Sequence, residues 1–116
     1  ILGACVPEQD REKVDGAAFK TLDMIVQEKN IKGAILKLDV DGFEYEIFRS
    51  ASNETLRHFD LIFVEYHFGV QDLESKLVNA GFSVEKKNIA NVVIDRHPAE
   101  YRNMDIGYIL AKKVNV

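Results

Sequence analysis

The sequence predicts an α/β chain whose parallel strands, joined by helices, give way to a terminal antiparallel pair. Three observations lead there. Helical and strand-like patterns alternate along most of the chain, as crossover connections require. The run "DLIFVEYHF" is apolar without a break through Leu61, Ile62, Phe63 and Val64, as expected of a strand covered on both faces. Two further strand-like stretches, "FSVEKKN" and "IGYILAKK", follow without a helix between them.

Taken in order, "FKTLDMIVQEKN" places Leu22, Ile25 and Val26 on one helical face, with Thr21 as the N-cap and Gly33 as a stop. "AILKLDV" reads as a strand with Ala34, Leu36, Leu38 and Val40 on one face. Ile35, Lys37 and Asp39 share the other, so Lys37 is expected to pair with Asp39. Gly42 breaks that strand as a turn residue. "FEYEIFRSA" is a helix with Phe43, Ile47 and Ala51 aligned, and "VQDLESKLVNAG" is another, with Val70, Leu73, Leu77 and Ala80 at helical spacing and Gly81 as its stop. "NVVID" reads either as a short strand or as loop. "DRHPAEYRN" reads as loop, because Pro98 cannot serve a central ladder.

At 116 residues the chain fits one domain, 1–116, and 47% apolar content is that of an ordinary globular protein. No stretch approaches the ~20 apolar residues of a membrane span, and no signal peptide is visible. A net charge of −4 without a basic tract argues against nucleic-acid binding, which needs a clustered positive face. The single cysteine, Cys5, cannot form an internal disulfide and reads as a small apolar residue. A cytoplasmic protein is expected, with neither membrane nor nucleic acid as a partner.

Ligands of open parallel sheets bind at the carboxyl ends of the strands. In "LKLDVDGFEYE", Asp39, Asp41 and Glu44 follow one strand end; Glu65 and His67 close the next. If the two strands are neighbours, all five converge on one rim. Asp39 could position or deprotonate a substrate hydroxyl, or cap the following helix. Asp41 and Glu44 fall where a helix N-terminus favours anions. Glu65 and His67 share a face and could relay a proton or hold a metal; no second histidine stands at ligand spacing, so no metal ligand is assigned. His58 and His97 read as solvated.

These stretches resemble one known family. The helix start Thr21, Leu22, Asp23, the strand end Lys37, Asp39, Val40, Gly42, Glu44, and the second strand end Val64, Glu65 match in order and spacing the C-terminal half of FkbM-type methyltransferases. Asp41 stands where that family usually has glutamate. The resemblance implies the C-terminal half of a class I, Rossmann-like methyltransferase sheet whose last strands form an antiparallel pair. It implies S-adenosylmethionine as cofactor and a hydroxyl of a small molecule or sugar as acceptor. On that basis Asp39, Glu65 and His67 are expected to be catalytic, and Asp41, Gly42 and Glu44 to lie at the cofactor. The family's glycine-rich turn and ribose-binding acid are not found among the scattered glycines, so a partial domain lacking its N-terminal cofactor-binding half is expected. The alternative is a non-catalytic interaction domain, possible as a homodimer, that completes its sheet by pairing an exposed strand edge.

Overall fold

The computed structural model describes residues 20–93 and 103–114, and the statements below concern those residues. Helix α1 (Leu22–Lys29) begins as expected: the Thr21 hydroxyl accepts the Met24 N–H. Asn30, in the left-handed region, ends it. Strand β1 (Ala34–Leu38) leads through a turn into α2 (Glu44–Ser50), then a single-turn helix α3 (Asn53–Leu56) capped by Ser52. Strand β2 (Phe59–Tyr66), helix α4 (Leu73–Asn79) and strands β3 (Phe82–Val93) and β4 (Asn103–Lys113) complete the order. The α3 turn has no counterpart in the sequence reading, because four residues are too few to show a helical period. The ambiguous "NVVID" resolves in part: Asn91 to Val93 continue β3 past a register shift and pair with β4. Most of the expected "DRHPAEYRN" loop, His97 included, lies outside the described residues.

The four strands run in the order β1-β2-β4-β3. β1 and β2 are adjacent and parallel, with Leu36 opposite Ile62 and Leu38 opposite Val64. β2–β4 and β3–β4 are antiparallel. The fold is thus α/β with a mixed sheet, and the terminal antiparallel pair is present. That architecture is compatible with part of a Rossmann-like methyltransferase sheet.

The core lies on one face. Leu36, Leu38, Ile62, Val64, Ile109 and Ala111 point into it, and Leu22, Val26, Phe48, Leu56, Leu73 and Leu77 meet them from the helices. Each fully buried Leu, Ile or Val contributes roughly 1.5–3 kcal/mol to the driving force for folding. The second face differs from the sequence reading. Ile35 is 70% exposed, and Leu61, Phe63, Tyr108 and Leu110 are only half-buried. β2 is therefore covered fully on one face only. Its unbroken apolar run reflects a stack between Phe63 and Tyr108, with ring centroids 5.4 Å apart, not a second helical layer among the described residues. No helix among the described residues is long and apolar enough to cross a membrane.

Candidate active site

The parallel pairing of β1 and β2 decides where the carboxylates go. Asp39 follows β1 one step beyond the Leu38–Val64 pair, which sets it beside Glu65 on the less covered face. Asp39, Glu65 and His67 bring two carboxylate oxygens and a ring nitrogen within 4.8 Å of one another. The contact is felt electrostatically. A hydrogen bond with Asp39 raises the Glu65 pKa above its ordinary value; desolvation and the Asp39 charge push the same way, against the opposing pull of His67 and Lys37.

His67 stands just past β2, and its ring is turned inward, only 7% exposed. Backbone bonds fix the segment: the Asp105 N–H donates to the His67 carbonyl at 2.9 Å, and the Gly69 N–H donates to the Asp105 carbonyl at 2.9 Å. Glu44 fixes the ring. Its carboxylate is fully buried at the start of α2, where Oε1 lies 2.9 Å from His67 Nδ1 and accepts the His67 backbone N–H at 3.1 Å, while Oε2 accepts the Gly42 N–H at 3.0 Å. Burying a carboxylate is costly unless hydrogen bonds replace its water, and these three do so. Glu44 therefore faces the protein.

Between β1 and α2 the backbone takes two left-handed residues, Asp41 (φ 50°) and Gly42 (φ 102°). Aspartate visits that region more readily than glutamate, which suits the shorter acid found here. At Gly42 a Cβ would stand 2.9 Å from the Phe68 ring. The glycine is required by conformation and by close packing at once. Asp41 is exposed, with Oδ1 3.6 Å from His67 Nε2, the same distance as Asp39 Oδ1.

The structure thus brings together all five rim residues. It also places one residue that sequence reasoning missed. Tyr45 lies buried on α2, donating its hydroxyl to the Gly69 carbonyl at 2.6 Å and accepting the Phe68 N–H at 2.8 Å. It clamps the segment that carries His67. The only signal was a tyrosine at a core-facing position, whose hydroxyl needs a partner when buried. Two expectations are corrected. Lys37 makes no ion pair with Asp39; it stands exposed in β1 and Asp39 turns to Glu65 and His67 instead. His58 is half-buried, not solvated, with Nδ1 2.9 Å from the Ile31 carbonyl.

The carboxylate–imidazole cluster stands at the carboxyl ends of two adjacent parallel strands, the place where open α/β sheets bind their ligands. Residues 17–84 match the methyltransferase FkbM domain, and that is more than half of the chain. The chain belongs to this family of methyltransferases. No curated protein matches it.

Proposed function

We propose that the chain is the acceptor-side part of an S-adenosylmethionine-dependent O-methyltransferase that acts on a hydroxyl of a small molecule or sugar. One observation carries the reading: in a methyltransferase-family domain, Asp39, Glu65 and His67 meet at the carboxyl ends of two adjacent parallel strands. Asp39 is the open member, with its side chain 45% exposed, so an acceptor can reach it.

The described residues fit the cofactor in part. The acidic rim suits a cationic sulfonium, and Asp41 and Gly42 lie on the accessible side of the turn. No glycine-rich cradle for the rest of the cofactor stands among the described residues. When bound, S-adenosylmethionine supplies the methyl group. The chain's own residues supply orientation and a place for the proton. Asp39 accepts a hydrogen bond from the acceptor hydroxyl and takes its proton as that oxygen gains the methyl. Glu65 and His67 hold Asp39 at the required angle. Holding reactants in attack geometry supplies most of the acceleration in such transfers.

The test is transfer of labelled methyl from S-adenosylmethionine to a panel of sugars and small hydroxyl compounds by the full-length protein. Transfer to oxygen that falls in Asp39→Asn supports the reading. Transfer only to nitrogen or carbon acceptors, or an Asp39→Asn variant with full activity, overturns it. A protein that takes up no S-adenosylmethionine and self-associates in light scattering would instead be the interaction domain.

A further inference from the structure

We propose that Asp39, Glu65 and His67 bind one divalent first-row metal cation, of the manganese type, which holds the acceptor hydroxyl in the site. One oxygen from each carboxylate and one imidazole nitrogen already lie within 4.8 Å of one another. A cation with bonds of about 2.1 Å spaces neighbouring ligand atoms about 3 Å apart and opposite ones about 4 Å apart. Small side-chain movements bring the three to that spacing. Asp39 and Glu65 come from the ends of paired strands, a rigid mount for a coordination site.

The placing of the histidine agrees with this. The His67 side chain is 8% exposed, and its Nδ1 lies 2.9 Å from Glu44 Oε1, which is itself fully buried. Glu44 holds Nδ1, so Nε2 is the nitrogen left for another partner. That nitrogen is aimed into the cluster. Its nearest charged neighbours, Asp39 Oδ1 and Asp41 Oδ1, are each 3.6 Å away, beyond hydrogen-bond reach. An imidazole edge that faces two carboxylate oxygens at that distance leaves a position between them that a cation can take. A carboxylate on the far ring nitrogen is also how ligating histidines are held and made more basic. Here that outer support is Glu44, a residue with no access to solvent.

The donor set selects the metal. Two hard oxygens with one imidazole suit Mn2+, Fe2+ or Zn2+ better than Mg2+ or Ca2+, which prefer oxygen alone, and the cluster contains no thiolate. Three protein atoms leave coordination positions open. A hydroxyl taken up there becomes more acidic, so the metal eases the loss of the proton that Asp39 would otherwise accept alone. This last consequence rests on the O-methyltransferase reading; binding of the cation does not.

The experiment is titration of the metal-free full-length protein with Mn2+, without cofactor or acceptor, followed by the paramagnetic resonance of the free hydrated ion and by calorimetry. One saturable site per chain is expected. Asp39→Asn and Glu65→Gln replace solvent-accessible side chains with isosteres, so the fold should survive, as circular dichroism will show. Each should weaken Mn2+ by more than the roughly 10–100-fold typical of outer-shell changes. Glu54→Gln, an exposed acid on α3 outside the cluster, should leave binding unchanged. No saturable binding, or binding that survives both cluster variants, overturns the proposal. If Mn2+ binds as expected but no hydroxyl is ever methylated, the cation site stands and the O-methyltransferase reading falls. If hydroxyl methylation persists under chelation and no Mn2+ binds, only the cation site falls.

Discussion

The buried carboxylate of Glu44 holds His67 twice, through the backbone N–H at 3.1 Å and through ring Nδ1 at 2.9 Å. The same carboxylate takes the Gly42 N–H at 3.0 Å. One side chain therefore ties the turn after β1 to the end of β2, and both halves of the candidate site depend on it. An acid in the first turn of a helix ordinarily faces solvent and gains only from the helix dipole. Glu44 gains that as well, but its main work is to orient an imidazole.

Glu44→Gln tests this. An exposed first-turn acid would cost roughly 0.3–1 kcal/mol when neutralised. Glu44 is fully buried with charge-assisted bonds, so the expected loss is about 2–4 kcal/mol. Urea denaturation of the variant measures it. A loss under about 1 kcal/mol would mean that the clamp is a surface effect after all.

Asp39→Asn separates chemistry from stability. Asp39 is half-exposed and carries no core packing, so its unfolding free energy should stay within about 0.5 kcal/mol of the parent. Methyl transfer should fall by about 100-fold or more if Asp39 receives the hydroxyl proton. Turnover and chemical denaturation on the same preparation decide the matter; a variant that unfolds but retains its specific activity reverses the assignment.

Gly42→Ala should damage both. The backbone there has φ 102°, and the added methyl would stand 2.9 Å from the Phe68 ring. Strain alone costs on the order of 1–3 kcal/mol. The shift of Phe68 should also disturb His67 next to it. Thermal denaturation and methyl transfer should fall together, and Gly69→Ala is not an equivalent control because it too has positive φ.

Tyr45 gives a pH signature. Burial raises its pKa from 10 to about 12, offset in part by the bonds to the Phe68 and His67 backbone. A raised folded-state pKa means that the fold favours the protonated phenol. That stabilisation is fully present below about pH 10 and is lost as pH rises through about 12. Phenolate absorbance should show one tyrosine titrating late, and Tyr45→Phe should remove that late step. A Tyr45→Phe titration identical to the parent would place the late phenol elsewhere.

Much of this was legible in the sequence because it is local. The alternation of Ala34, Leu36 and Leu38 with Ile35 and Lys37 fixes which side of β1 is inward, and the same parity in β2 puts Asp39 and Glu65 on one face once the strands are known to be parallel. The helix between them makes that pairing the expected one. Cap residues such as Thr21 announce themselves by type, and the order of matched residues identifies the family. Tertiary structure alone decided the rest. Glu44 turns inward because its hydrogen-bond partner is His67, 23 residues away, and no local period encodes a partner at that distance. Lys37 and Asp39 share a strand face, yet Asp39 answers to a neighbouring strand, since cross-strand neighbours lie closer than residues two apart on one strand. The apolar run in β2 could not report whether one face or two would be covered. Apolarity records a preference for burial, and only the packing of other elements settles where it is met.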